Sequence, residues 1–238
     1  MTDLHTHILP AMDDGPKDMS AALALLEQEW QQGVRNVALT SHYHCEAEAL
    51  DAFLARREQA FSALSAAAPR GMTLKRGCEV FFSPELLRLD VRKLCLEGTA
   101  YLLLELPILQ KPAFLNEVLL GLAARGIVPL IAHVERYVYV QRDPRLLREW
   151  IDLGARIQVN AGSDAAFTRK LLRWGLVHVM ASDAHHVTHR PANLSTGLAQ
   201  LNGEDAARLK RNAELLFAGQ RVPAGEVHTP KKVLGFWL

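Results

Sequence analysis

Two histidines at i and i+2, His5 and His7, stand almost at the start of the chain in Asp3-Leu4-His5-Thr6-His7, and Ser182-Asp183-Ala184-His185 brings the same residue types back near the far end. Side chains alternate across a β-strand with period two, so both imidazoles lie on one face and aim at one point. That is an arrangement for a metal. Asp14, His42, Glu79, Glu105, His133, Asp183 and His185 offer further nitrogen and oxygen donors, with no thiolate among them. Such a set suits Mn, Fe or Zn in a hydrolytic site and excludes a cysteine-rich structural zinc. Nine candidate ligands exceed the roughly four that one catalytic ion takes from protein. Two or three ions are implied.

The elements that must carry these residues repeat along the chain. A helical segment, a glycine and a short apolar run are followed by a polar or ionisable residue. Gly33 precedes 37–42, which ends on His42, and Gly71 precedes 72–79, which ends on Glu79. Gly98 leads to Glu105, Gly126 to His133, Gly154 to Asn160 and Gly175 to Asp183. Glycine suits the left-handed position that closes a helix, and the apolar runs suit buried parallel strands. Between them, Leu23, Leu26 and Trp30 share a helical face, as do Ala47, Leu50, Leu54, Phe61 and Leu64. Asp143-Pro144 sets a capping side chain before a proline suited to a first helical turn. With the first strand, this makes about seven β/α units, a pattern that predicts a parallel sheet. A closed or nearly closed barrel is expected, with a doubly wound open sheet as the alternative. In such barrels the chemistry sits at the C-terminal strand ends, where His5 and His7, His42, Glu79, Glu105, His133, Asn160 and Asp183 fall.

Size and composition agree with an α/β domain. The chain has 238 residues, 49% hydrophobic and 22% charged, with a net charge of +1. That balance gives no electrostatic reason to expect nucleic acid or an anionic membrane as partner. Cys45, Cys78 and Cys95 form an odd set without close spacing, so a reduced, cytoplasmic compartment is expected. The N-terminus lacks the charged and apolar regions of a signal peptide, and the apolar run at 101–106 is too short to span a bilayer. No boundary is visible before about Gly219, so residues 1–219 are expected to form the barrel and 220–238 an extension of the same domain, fraying at its end.

Read in order, Asp3-Leu4-His5-Thr6-His7-Ile8-Leu9-Pro10, Asp13-Asp14-Gly15-Pro16-Lys17, Thr40-Ser41-His42, Gly77-Cys78-Glu79 and Leu104-Glu105-Leu106-Pro107 are followed by Ala132-His133-Val134-Glu135-Arg136-Tyr137, Val159-Asn160-Ala161-Gly162-Ser163, Ser182-Asp183-Ala184-His185 and Arg190-Pro191. Across roughly residues 2 to 220, this succession resembles the PHP superfamily, named for polymerase and histidinol phosphatase. Within it, the chain is similar to the capsule and exopolysaccharide operon protein-tyrosine phosphatases. The resemblance implies a distorted parallel (β/α)7 barrel holding three divalent ions, with Mn the leading candidate and Fe or Zn the alternatives. It implies a first ion on His5, His7, Glu79 and Asp183, and a second on Glu79, Glu105 and His133, bridged by Glu79. A third would take Asp14, His42 and His185. Arg136 and Arg190 match the family's phosphate-gripping arginines, whose planar fork suits bidentate phosphate contact.

The implied activity is hydrolysis of phosphotyrosine monoesters. Metal coordination makes hydroxide available near neutral pH, and attack on phosphorus then needs no covalent enzyme intermediate. The implied partner is a phosphotyrosine protein, a bacterial tyrosine autokinase in capsule or exopolysaccharide biosynthesis; the runner-up is a small-molecule phosphoesterase acting on histidinol phosphate or a sugar phosphate. Thiolate phosphatase chemistry is excluded. It needs an arginine six residues after the cysteine, and Asp51, Pro84 and Tyr101 stand there instead. Ser41 and Val134 replace the family's frequent prolines, and Tyr43-His44-Cys45 follows His42; these departures touch substrate preference rather than the ligand set.

Some residues keep two readings. Asp13 rivals its neighbour Asp14, and only the resemblance favours Asp14. His44, on the His42 face if that strand continues, is either packing or a ligand or substrate contact. Asn160 either donates to a ligand or caps the next helix, and Glu135 either orients a neighbour or faces solvent. His178 reads as a packed or solvent-edge histidine, while His186, His189, His228 and the Lys231-Lys232 pair read as surface.

Overall fold

A computed structural model describes residues 1–163, 165–233 and 236–237. Leu234, Gly235 and Leu238 of the expected extension lie outside the described residues. Parallel strands and helices alternate as the glycine-punctuated pattern requires. Strand β1 (Thr2–Thr6) is followed by α1 (Met19–Gln31), β2 (Asn36–Leu39), β3 (His42–Tyr43), α2 (Leu50–Ala67), β4 (Thr73–Arg76) and β5 (Glu79–Phe81). Two 3-10 turns lead to β6 (Tyr101–Glu105), α3 (Leu115–Ala124), β7 (Val128–Ile131), α4 (Val138–Arg142), α5 (Arg145–Asp152) and β8 (Arg156–Asn160). The chain continues through α6 (Ala165–Arg173), β9 (Val179–Ala181), α7 (Leu194–Ala199) and α8 (Gly203–Phe217) to a hairpin of β10 (Lys232–Val233) and β11 (Phe236–Trp237).

The parallel strands form a three-stranded sheet, β1-β2-β4, and a six-stranded sheet, β3-β5-β6-β7-β8-β9. Two of the expected strands are each split in two. Residues 40–41 separate β2 from β3, and 77–78 separate β4 from β5. The cause is a local doubling of the ladder, in which Glu79 N–H faces both the Thr40 carbonyl (2.9 Å) and the Ser41 carbonyl (3.1 Å). Hydrogen bonds still cross the splits: Gly77 N–H donates to Leu39 O at 2.9 Å, and Thr40 N–H to Thr6 O at 2.8 Å. At the far side, Asp183 N–H donates to His5 O (2.9 Å) and His7 N–H to Ala184 O (2.8 Å), so the segment after β9 lies against β1.

The strand sequences read as nearly continuous apolar runs because both faces are covered. In β6, Leu102 and Leu104 pack into the large cluster shared with the helices. Tyr101 and Leu103, on the other face, join Leu4, Ala38, Leu130 and Val179 beneath Ala213, Leu216 and Phe217 of α8. The buried stripe of α1 is Ala22, Leu25, Leu26 and Glu29, rotated from the expected Leu23, Leu26 and Trp30. Trp30 instead stays partly buried under the Arg35 guanidinium, 3.5 Å from its ring centroid.

Helix ends follow the local chemistry. Gly154 after α5 has φ +101°, a conformation costly for any residue with a Cβ. Asp143 Oδ1 accepts the Arg145 N–H at 3.1 Å and so caps the start of α5. Beyond α8, Val222 is buried, and Trp237 Nε1 donates to the Arg142 carbonyl. No helix among the described residues is long and apolar enough to cross a membrane.

Candidate metal centre

Most proposed ligands sit near or just past the C-terminal end of a strand or in a loop leaving one, while His42 and Glu79 open the short strands that follow the two splits. His5 lies in β1 and His7 one residue beyond it, His42 opens β3, Glu79 opens β5 and Glu105 closes β6. His133 follows β7 with φ +30°, and Asp183 follows β9 with φ +57°. Left-handed backbone at non-glycine residues is strained and gathers at functional sites. Here it turns both side chains inward from strand ends.

The side chains converge. His5 Nε2 and His7 Nε2 are 3.1 Å apart, and Glu79 Oε2 is 3.2 Å from each. Asp183 Oδ1 lies 3.4 Å from His5 Nε2 and 3.7 Å from His7 Nε2. On the other side of the same carboxylate, Glu79 Oε1 is 2.8 Å from His133 Nε2, which stands 3.5 Å from Glu105 Oε1. Asp14 Oδ1 is 3.2 Å from His185 Nε2 and 3.6 Å from His42 Nε2. Donor atoms close enough to share a cation form three groups: His5, His7 and Asp183; His42, Glu79 and Glu105; and His7, Asp14, His42 and His185. His7 and His42 each fall in two groups, a sharing that the sequence did not indicate.

The donors also fit cations chemically. His42 Nδ1, Asp183 Oδ1 and His185 Nε2 are buried without a hydrogen bond, although Glu79 Oε2 is 3.1 Å from His42 Nδ1. Side chains that crowd together without bonding one another are arranged to share a positive ion rather than a proton. The charges are in conflict accordingly. Burial and the nearby Glu79 push the Glu105 carboxyl up to about 7. Against burial, His5 and His133 hold Glu79 well below the carboxylate range. Burial and the nearby His7 charge lower His185 to about 3.

A second layer of side chains holds the donors in place. Asp13 Oδ2 lies 2.8 Å from His7 Nδ1 and accepts the His42 backbone N–H at 2.9 Å, while Asp13 Oδ1 accepts Gly15 N–H at 3.0 Å. Burial opposes it, but Asp13 in contact behind and Glu79 in front raise His7 to about 10. Asp13 therefore stands behind the donor cluster, whereas Asp14, 61% exposed, reaches the cluster itself. A Cβ at Gly15 would collide with the His7 carbonyl oxygen, so this turn requires glycine.

Gln158 lies in the middle of β8. Its Oε1 is 3.2 Å from His5 Nδ1 and accepts the His133 N–H at 2.7 Å. Its Nε2 donates to Asn160 Oδ1, and Asn160 Nδ2 donates to Asp183 Oδ2 at 2.6 Å. Asn160 thus orients the Asp183 carboxylate. Asp3 accepts the His5 and Ser182 N–H groups, and Ser182 Oγ donates to the buried Glu29. Glu135 is buried rather than solvent-facing and accepts Asn160 N–H. A buried polar residue inside an apolar strand is a sequence signal, but its partner depends on which strands become neighbours.

Arg136 and Arg190 reach Asp183 Oδ2 at 3.7 and 2.6 Å, with side chains still 40% and 38% exposed. They line a cavity of about 360 Å³ together with Asp183, Asn160, Ser163 and His189. His44 lies outside the three donor groups among the described residues; its ring stacks on Phe81 at 4.9 Å between centroids and 24° between planes. Cys78, next to Glu79, packs into the core rather than the site. Its Sγ–H donates to Leu94 O, and burial pushes the thiol up to about 12. His178 is buried, and His186, His189 and His228 are exposed.

Comparison with known proteins places this architecture. The family model for capsular polysaccharide synthesis, CpsB/CapC, matches residues 1–214. The tyrosine-protein phosphatase YwqE of Bacillus subtilis is 32% identical over 257 aligned positions, covering 100% of both chains. The tyrosine-protein phosphatase CpsB of Streptococcus pneumoniae is 31% identical, with 80% of this chain and 85% of that protein aligned. A solved structure from a study of YwqE and CpsB, described as unique metal-dependent tyrosine phosphatases, superposes with TM-score 0.87 at 28% identity. It covers 98% of this chain and 100% of that chain.

Proposed function

The chain belongs to the CpsB/CapC capsular polysaccharide synthesis family, and from that membership we propose that it is a metal-dependent protein-tyrosine phosphatase. The observation that carries this reading is the convergence of eight His, Asp and Glu side chains in three donor groups, with His133 against Glu79 and Glu105, beside two half-exposed arginines. Three divalent ions, Mn first among the candidates, would be held by His5, His7, Glu79 and Asp183, by Glu79, Glu105 and His133, and by Asp14, His42 and His185. Counting β2 with β3 and β4 with β5 as interrupted single strands gives the distorted (β/α)7 barrel proposed for this scaffold.

Ions bound there supply positive charge against phosphoryl oxygens and acidify water near neutral pH. The chain's own residues do the rest. Arg136 and Arg190 grip the non-bridging phosphoryl oxygens, where guanidinium donors neutralise charge as it develops. Asp13 and Gln158 hold His7 and His5 in one orientation each, and Asn160 aims the Asp183 carboxylate. No thiol serves as nucleophile in this reading: Cys78 and Cys95 are buried, and Cys45 has Asp51 rather than an arginine six residues on.

An aromatic surface beside the centre supports phosphotyrosine over a small sugar or histidinol phosphate. Phe81 stands two residues beyond Glu79 on β5 and so shares its strand face, while His44, just past the end of β3, stacks on Phe81. The His42 and His44 rings are 5.9 Å apart. Together His44, Phe81 and Phe82 line a cavity of about 240 Å³, suited to a phenyl ring whose phosphate lies over the donors. We propose a bacterial tyrosine autokinase acting in capsule or exopolysaccharide synthesis as the partner, and the cytoplasm as the compartment.

The test is a substrate panel on Mn-loaded protein. Phosphotyrosine peptide should turn over well ahead of histidinol phosphate and sugar phosphates, and chelation should abolish it reversibly. Faster turnover of a phosphorylated metabolite would overturn the assignment.

A further inference from the structure

The other mouth of the fold holds a second cavity, of about 370 Å³, lined by Tyr101, Ile127, Val128, Arg156 and Arg221. Tyr101, Val128 and Arg156 begin β6, β7 and β8, whereas Glu105, His133 and Asn160 stand at or just past the opposite ends. A strand of that length separates the two sites by roughly 13 Å. Gly126, Gly154 and Gly219 also border the cavity, and the lack of side chains there leaves it open.

Arg156 is buried, with only 6% of its surface exposed. Its Nε donates to Val222 O, and its Nη1 donates to Gly154 O and Ala155 O. These are neutral acceptors. No carboxylate among the described residues forms an ion pair with Arg156 or Arg221, and Arg156 Nη2 has no hydrogen-bond partner there. A buried cation without an opposite charge is costly. Burial holds the Arg156 pKa below the ordinary arginine value; Tyr101 opposes that shift, and the charge of the second guanidinium, Arg221, adds to it. A purely structural clamp on the chain after α8 would account for the three carbonyl bonds. It does not account for a second cation at the rim of an open, mainly apolar cavity.

We propose that this cavity binds a small organic anion, a carboxylate, phosphate or sulfonate carried on an apolar ring or chain. The charged head meets Arg156 Nη2 and Arg221, and the body lies against Tyr101, Ile127 and Val128. Guanidinium forks favour oxyanions, and a pocket of this size with apolar walls and two convergent polar groups suits a ligand of drug-like dimensions.

The probe is naphthalene-2-sulfonate, titrated calorimetrically into the Mn-loaded full chain, with neutral naphthalene-2-sulfonamide as its match in shape. The sulfonate should bind at one site, with the sulfonamide and the Arg221→Glu variant each weaker by about tenfold or more. Arg221 is exposed and far from the metal donors, so Arg221→Glu should hydrolyse phosphotyrosine at the parent rate. Arg136→Ala should bind the sulfonate as the parent does. Absence of saturable binding, equal binding by sulfonamide, full binding by Arg221→Glu, or loss of binding in Arg136→Ala would each overturn the proposal.

Discussion

Asp13 Oδ2 lies 2.8 Å from Nδ1 of His7, on the side of the ring opposite the Nε2 that faces Glu79. An imidazole held from behind by a carboxylate keeps one tautomer and one orientation, and becomes a better donor at its other nitrogen. The neighbouring Asp14 does something different, reaching His42 and His185 directly.

The two aspartates should therefore fail differently. Asp13→Asn is expected to weaken metal binding by about 10- to 100-fold, the usual cost of losing an outer-shell partner, with turnover restored at high Mn concentration. Asp14→Ala removes a donor from one group only, so metal analysis should find about one ion fewer per chain than in Asp13→Asn at saturating Mn.

Gln158 joins His5 to the turn that carries His133. Gln158→Leu leaves the buried His133 N–H without an acceptor, which costs about 1–3 kcal/mol. A lower denaturant midpoint with an unchanged slope, together with reduced turnover, is the expected result.

Arg190 makes the shorter contact to Asp183, 2.6 Å against 3.7 Å for Arg136. Arg190→Lys keeps the charge but loses the planar fork. A loss of about 10- to 100-fold in kcat/KM is expected from one charged hydrogen bond worth roughly 1.5–3 kcal/mol, with the metal content unchanged.

Phe81 is the test of ring recognition. Phe81→Ala should raise KM for phosphotyrosine peptide by about 2- to 10-fold, matching an aromatic contact of about 0.5–1.5 kcal/mol. Hydrolysis of an aliphatic phosphate monoester should change little. Equal effects on both substrates would remove Phe81 from the account.

His178 supplies a pH effect remote from the metal donors. Burial, and then the Arg156 charge, lower it from the ordinary 6.5 to about 3, and its Nδ1 accepts the Ile157 N–H. The folded protein therefore keeps the imidazole neutral while the unfolded chain takes up a proton below pH 6.5. Its contribution to stability is intact above 6.5 and declines as pH falls toward 3, at up to about 1.4 kcal/mol per unit. His178→Asn, which can still accept that N–H, should have a shallower dependence of urea midpoint between pH 7 and pH 4.5 than the parent.

Most of the donor set was legible along the chain because helix, glycine and strand recur, so an ionisable residue after each apolar run falls at one end of a parallel sheet. Glu79, Glu105, His133 and Asp183 owe their recognition to that regularity. Asp13 and Asp14 lie in an irregular loop, where adjacent residues have no periodicity to separate them. On α1 the spacing places Leu23 and Leu26 against the core, as found, but hydrophobic spacing alone cannot include Glu29, which is polar yet buried beside Ser182.

Residue type and order, by themselves, determined the parallel α/β scaffold, the nitrogen and oxygen chemistry of the donors and the absence of a thiolate cradle, since these depend on local periodicity and on which atoms are present. Tertiary structure alone decided that Asp13 backs His7 while Asp14 reaches the cluster, that Gln158 links His5 to His133, and that His44 stacks on Phe81. Each of those contacts joins residues from different strands or loops. Their distances depend on sheet register, on the left-handed turns at His133 and Asp183 and on the split strands, which are properties of the packed chain as a whole.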